Sequence, residues 1–240
     1  MRKAALFSLV LLASPVSLLA GTAAAKPPVV LELYTAQGCA SCVAANAHVA
    51  TLADKPGVLA LTFPVDYWDY LGWADTFAKP EFTDRQKAYV ARLALREPYT
   101  PQVVVDGAVQ AAGTKAARVD QLVATAAKAR RKAEPQIRFA GSGRVRIGAG
   151  AAPKGGGEVW LVRYDPREQD VAVKSGDNKG QTIVQKNVVR ELDKLGVWKG
   201  AAKAYKLPAA GEDGLRTVVL IQAGHGGRII GAAQAKAPKA

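Results

Sequence analysis

The chain has 240 residues, a formal net charge of +13, 49% hydrophobic residues and two cysteines. That length can bury a core, and the composition is that of an ordinary folded chain, which excludes collagen-like, low-complexity and disulfide-scaffold classes. The basic residues are scattered apart from Lys128, Arg130, Arg131 and Lys132, and no basic stripe is interleaved with stacking aromatics, so no nucleic-acid role is expected.

Arg2 and Lys3 open the chain, an uncharged apolar run follows from Ala4 to Ala20, and Ala23-Ala24-Ala25 precedes Lys26. This is the anatomy of a secretory signal peptide over residues 1–25. An uncleaved anchor is the competing reading, and Ser14, Pro15, Ser17 and the small-residue exit favour cleavage. No later segment is apolar enough to span a membrane, so the expected location is periplasmic or secreted, where disulfides persist.

Val29 to Tyr34 (VVLELY) reads as a buried strand, and the alanine-rich stretch from Cys39 to Ala53 as a helix ended by Pro56-Gly57. Val58 to Val65 reads as a second strand with Pro64 near its end. A strand-helix-strand unit of this length implies a right-handed parallel crossover. The aromatic loop Asp66 to Trp73 (DYWDYLGW) leads to a helix over Glu81 to Leu95. Asp106-Gly107, between Gln102–Val105 and Ala108–Ala112, signals a hairpin. Lys115 to Lys132 carries Val119, Leu122, Val123 and Ala126 on one face and reads as a covering helix. Strand, helix, strand, helical insert, hairpin, helix is the order of the thioredoxin fold.

Pro135 marks a change of pattern. Strands are expected near Gln136–Phe139, Arg144–Ile147, Glu158–Tyr164, Asp170–Lys174, Lys203–Leu207, Thr217–Ala223 and Ile229–Ala233, with Asn187 to Leu195 a short helix or a strand. The expected architecture is therefore an α/β thioredoxin-like N-terminal domain, residues 26–134 with a helical insert, and a smaller mainly-β, sandwich-like C-terminal domain, residues 135–240 with a loose tail.

Cys39-Ala40-Ser41-Cys42 follows a strand and opens a helix. A thiol there meets free backbone N–H groups and the helix dipole, which favour a thiolate. Cys39 is placed to attack a disulfide and Cys42 to resolve the mixed disulfide. A structural disulfide is the bland alternative, although a loop this short adds little as a staple. Thr100-Pro101 precedes a strand that should run antiparallel to the first, which sets it beside the cysteines. Pro101 donates no hydrogen bond, and Thr100 would offer backbone groups to an extended substrate. Asp66, at the same end of the sheet, is a candidate proton relay or a loop cap. Tyr67, Trp68, Tyr70 and Trp73 either line a docking groove or pack the insert onto the sheet.

His48 lies more than a helical turn beyond Cys42 and off its face, a poor partner for a shared metal, and no metal or other cofactor is expected. Gly224-His225-Gly226-Gly227 lacks the Lys-Ser/Thr ending and following helix of a phosphate loop and reads as a turn. No Ser-His-Asp nucleophile motif stands out.

Five stretches carry a family resemblance: VVLELYTAQGCASC (Val29 to Cys42), FPVDYWDYLGW (Phe63 to Trp73), FTDRQKAYV (Phe82 to Val90), YTPQVVVDG (Tyr99 to Gly107) and GDNKGQTIVQKNVVREL (Gly176 to Leu192). On these the chain resembles the DUF1223 family of secreted proteins, placed in the thioredoxin-like superfamily. The resemblance implies a thioredoxin-like fold, export in Gram-negative bacteria and a thiol-disulfide role. Family members commonly carry Pro-Pro-Ala-Asp after the second cysteine, where this chain has Val43-Ala44-Ala45-Asn46. That departure bears on thiol pKa and redox potential more than on fold.

The function expected is exchange with protein thiols or disulfides of the envelope. The alternative is a non-enzymatic envelope-binding module whose cysteines form a passive disulfide or a Cu(I)-type site.

Overall fold

In a computed structural model of the protein, the described residues are 27–129, 134–141 and 143–236. The expected signal peptide and Arg130, Arg131 and Lys132 of the basic cluster lie outside them. The first half contains β1 (Val29–Thr35), α1 (Cys42–Ala53), β2 (Val58–Pro64), a 3-10 turn at Asp69–Leu71, α2 (Pro80–Arg92), β3 (Gln102–Val105), β4 (Val109–Ala112) and α3 (Ala116–Lys128). The second contains β5 (Ile137–Ala140), β6 (Arg144–Ile147), β7 (Gly157–Ala172), β8 (Thr182–Trp198), β9 (Lys203–Lys206), β10 (Arg216–Ala223) and β11 (Ile229–Gln234).

The architecture is α/β, with an eight-stranded mixed sheet in the order β11-β10-β7-β8-β2-β1-β3-β4 and a three-stranded sheet β5-β6-β9. β1 and β2 pair in parallel across α1, and β3 pairs antiparallel to β1, with Tyr34 opposite Gln102. The β3–β4 turn places Asp106 at φ 49° and Gly107 at φ 61°, the two positive values that a tight hairpin turn of Asp-Gly type requires.

The C-terminal strands do not close on themselves as the expected sandwich. β7, β8, β10 and β11 extend the first sheet, through a parallel contact between β8 and β2 at Thr62 and Val188. Side chains strengthen that short seam: Asn187 Nδ2 donates to the Ala60 carbonyl at 2.9 Å and Thr62 Oγ1 to the Lys186 carbonyl at 2.7 Å. β7 is one strand of 16 residues where the sequence suggests two. Pro166 sits where the β7–β8 register shifts between Asp165 and Glu168, and a bulge is where a strand tolerates proline. Arg167 Nε and Nη2 grip Asp165 there at 2.8 and 2.6 Å and hold its carboxyl below the usual range. Residues 187–195 belong to β8, the strand alternative of the expected pair.

The large sheet curls around α2. The Ile229 N–H, at the start of edge strand β11, donates to the Asp106 carbonyl in the β3–β4 turn at 2.9 Å. The concave face encloses Phe82 and Tyr89 of α2 with Val30 and Tyr34 of β1, Phe63 of β2, Val162 of β7 and Leu220 of β10. The alternate residues of β1, Val29, Leu31 and Leu33, face the opposite layer with Leu52 of α1 and Val119 of α3. A period of two with both faces covered explains why every residue of β1 is buried. The small sheet covers the far half, where Val145 and Ile147 of β6 meet Val159 of β7 and Ile221 of β10.

At the centre of the curl lies a buried ion pair. Arg85 of α2 donates to Glu32 of β1 through Nε (3.2 Å) and Nη2 (2.6 Å), and through Nη1 to Gln222 Oε1 of β10 at 3.1 Å. The Tyr34 hydroxyl donates to Glu32 Oε2 at 2.9 Å; burial first, and Glu32 next, push it well above the usual tyrosine range, so it stays protonated. The Arg85 guanidinium also lies 5.5 Å from the rings of Tyr89 and Trp160.

Candidate functional site

Cys39 and Cys42 are joined in a disulfide in the turn between β1 and α1. The helix begins at Cys42, with Ser41 as its N-cap, rather than at Cys39 as the sequence suggests. The cause is local: the Cys42 N–H bonds the Cys39 carbonyl at 3.0 Å and the Cys39 N–H bonds the Ala36 carbonyl at 3.2 Å, so residues 36–42 form consecutive turns. Cys42 thus occupies the first helical position and Cys39 lies just outside it. Ser41 Oγ makes no capping bond and lies 3.5 Å from Cys39 Sγ. Cys39 is 0% and Cys42 1% exposed, while Ala40 and Ser41 between them face solvent.

Thr100-Pro101 immediately precedes β3, at the end of the sheet from which the cysteine turn emerges. The Thr100–Pro101 peptide is cis. A β-carbon built on Gly113 would stand 2.9 Å from Pro101 Cβ and 3.0 Å from Ala45 Cβ, so Pro101 and α1 converge on a position with no room for a side chain. The Pro101 carbonyl accepts the Gly113 N–H at 2.8 Å. Gln86 of α2 brackets the segment, donating to the Tyr99 carbonyl at 2.8 Å and to Gln102 Oε1 at 2.9 Å. Tyr67 lies against Gln86 and Thr100, and burial pushes its hydroxyl up to about 12.

Asp66 is half-buried and bound to α2: Thr83 Oγ1 donates to its Oδ1 at 2.6 Å, and its own N–H reaches Thr83 Oγ1 at 3.3 Å. Tyr67 and Trp68 pack against the apolar cluster that contains both cysteines, whereas Tyr70 is 82% exposed. His48 faces Asp120 of α3 at 3.3 Å. Among the described residues, no three His, Cys, Asp or Glu side chains gather into a set that could hold a metal ion, and no helix is long and apolar enough to cross a membrane.

Of the residues that hold the cysteine turn, the sequence reading singles out Trp73 alone. Gln37, two residues before Cys39, is fully buried and each of its polar atoms is engaged. Its N–H donates to Asp75 Oδ2 at 2.7 Å, and its carbonyl accepts from Asn178 Nδ2 at 2.8 Å. Its Nε2 reaches Thr76 Oγ1 at 2.8 Å, and its Oε1 accepts from Trp73 Nε1 at 2.9 Å and the Thr76 N–H at 3.1 Å. Burial pushes the Asp75 carboxyl up to about 6, against the lowering effect of its bonds from the Gln37 and Phe77 N–H groups. Asn46 of α1 accepts from Thr35 Oγ1 at 2.8 Å, while its buried Nδ2 has no partner. The sequence signals for this network were the aromatic loop that ends in Trp73 and the stretches around Gln37, Trp73 and Asn178 that carry the family resemblance.

No curated protein matches the chain. A crystal structure of an Agrobacterium tumefaciens protein is similar to it at 32% identity and a TM-score of 0.70, over 88% of this chain and 95% of that one. The model of a family described as a protein of unknown function, DUF1223, matches residues 30–222, from the second residue of β1 into β10. That span takes in the cysteine turn, the Pro101 segment and the hairpin that reaches Gln37, and the chain belongs to the DUF1223 family.

Proposed function

We propose that this is an exported, thioredoxin-like thiol-disulfide oxidoreductase acting on protein substrates in the periplasm or outside the cell. The observation that carries the reading is the Cys39–Cys42 disulfide at a strand-to-helix turn, with Thr100-Pro101 set against the same helix. In the exchange, a substrate thiolate attacks Cys39 Sγ, a new sulfur–sulfur bond forms, the Cys39–Cys42 bond breaks, and Cys42 leaves as a thiolate. A second substrate thiolate then attacks the substrate sulfur of the mixed disulfide. Cys39 leaves, the substrate gains a disulfide, and both cysteines end reduced. The reverse sequence reduces a substrate disulfide. Cys42 at the first helical position is stabilised as a leaving group by the helix terminus. Thr100 docks the substrate backbone, and Asp66 serves as a proton relay after release from Thr83.

The test is trapping. Cys42→Ser protein should retain substrates as mixed disulfides on Cys39, read by mass spectrometry of non-reduced complexes. Absence of any captured partner, together with a Cys39 thiol pKa near the free value of about 8.5, overturns the reading.

The burial of both sulfurs favours one rival, a passive disulfide in a non-enzymatic binding module. On that reading Cys39→Ser/Cys42→Ser protein retains every envelope partner of the wild type.

A further inference from the structure

The disulfide is buried, yet the residues between its two sulfurs are exposed, so a protein thiolate reaches Cys39 only if the turn shifts. Gln37 resists that shift. Its fastenings come from two separate parts of the chain. One is the loop 73–76, through Trp73, Asp75 and Thr76. The other is the β7–β8 hairpin, through Asn178 in its tip and Gln185 on β8, whose Oε1 lies 3.4 Å from Gln37 Nε2. The tip is itself ordered: the Gln181 N–H bonds the Asn178 carbonyl at 3.0 Å, and the Gly180 N–H bonds the Val173 carbonyl at 2.9 Å. Ser175 Oγ donates to the Gly72 carbonyl, which seats the tip on the aromatic loop. Asn178 is 1% exposed and spans from the tip to the Gln37 backbone.

We propose that the β7–β8 hairpin tip is a clasp on the cysteine turn, and that Asn178 and Asp75 are positioning residues that act through Gln37 to set how readily Cys39 is attacked. This rests on the exchange chemistry proposed above and gives the long C-terminal hairpin a role in it. Neither residue touches sulfur. Each holds one backbone group of the same residue, Asn178 the Gln37 carbonyl and Asp75 the Gln37 N–H, so loss of either frees the turn in the same direction. The charged neighbour of the Asp75 carboxyl is Asp69, whose Oδ1 accepts the Asp75 N–H at 3.0 Å; the groups that bond Asp75 from the cysteine turn and from residues 77–78 are neutral backbone N–H groups. Among the described residues no counter-ion faces Asp75, so its titration loosens or tightens the clasp directly.

The experiment compares wild type, Asn178→Ala and Asp75→Asn in the oxidised protein, measuring the rate of reduction by dithiothreitol per thiolate across pH 5–8. Asn178→Ala should reduce about fivefold faster, the rate equivalent of one net hydrogen bond. The wild type should show an inflection near pH 6, and Asp75→Asn should lose it. In the reduced proteins, the pH profile of Cys39 alkylation by iodoacetamide should shift in both variants. Wild-type reduction rates and alkylation profiles in both variants overturn the proposal. Should either variant misfold, hydrogen exchange of the wild-type amides at 37–42 decides. Opening well below the cost of global unfolding supports the clasp, and opening only with global unfolding overturns it. If Cys42→Ser traps no substrate and the Cys39 thiol pKa is near the free value, while Asn178→Ala still accelerates reduction, the enzymatic reading falls and the clasp stands.

Discussion

Two of the buried polar centres are built on opposite principles. The Arg85–Glu32 pair sits at the axis of the curled sheet, with a full positive and a full negative charge held from α2, β1 and β10 and walled by aromatic rings. The Gln37 centre joins segments as distant in sequence as 37 and 178, but nearly all its bonds are between neutral groups. A buried charge without its partner is severely destabilising, whereas a single neutral hydrogen bond contributes about 1 kcal/mol net. The first centre is therefore suited to permanence and the second to being opened and remade, and the cysteines belong to the second.

The most severe way to break this contrast is at the ion pair. Arg85→Met leaves Glu32 buried without its cation and should cost about 3–5 kcal/mol in a denaturant titration. Combining it with Glu32→Leu should restore much of that loss. A single-variant loss as small as a neutral hydrogen bond would erase the distinction between the two centres.

The next effect is a dependence on pH. The Asp75 carboxyl titrates near 6 in the folded protein, above its unfolded value of about 3.9, so the folded state binds the proton more tightly between those values. Stability should accordingly fall as pH rises from about 4 to about 6 and then level, by roughly 3 kcal/mol for a shift of about two units. Asp75→Asn should flatten that slope in thermal melts. An unchanged slope would assign it to other groups.

The smallest effect concerns the disulfide. Its loop is so short that loop-closure entropy allows about 2 kcal/mol at most, so Cys39→Ser/Cys42→Ser protein should stay folded with only a modest drop in midpoint. A larger loss would sharpen the comparison in the other direction, by making the cysteines part of the permanent core.

Which parts of this were legible beforehand follows from the range of the interactions. β1, β2 and the β3–β4 hairpin announce themselves through β-rich runs and Asp106-Gly107, because those signals act within a few residues. Cys39, Cys42 and Pro101 stand out through local motif and strand order. On paper β7 is two runs, Glu158–Tyr164 and Asp170–Lys174, because the bulge that joins them across Pro166 depends on β8. The curl is invisible for the same reason: Glu32 looks like one polar residue in an apolar strand, and its partner lies 53 positions away on a helix. Gln37 looks like part of a turn, since its role is defined by residues 73–76, 178 and 185.

The contact between Ile229 and Asp106 has a consequence for how the chain becomes a protein. During synthesis β1 to β4 and α1 to α3 emerge well before β10 and β11 exist. Until then α2 lacks the part of its wall that Leu220 and Ile229 supply, and Arg85 has Glu32 but lacks Gln222. The last step of assembly must therefore be a long-range closure, the slow kind that loop entropy delays and that leaves apolar surface open to aggregation. A chain halted short of β10 would be a nascent fold with an unsealed centre, and sealing it falls to β10 and β11.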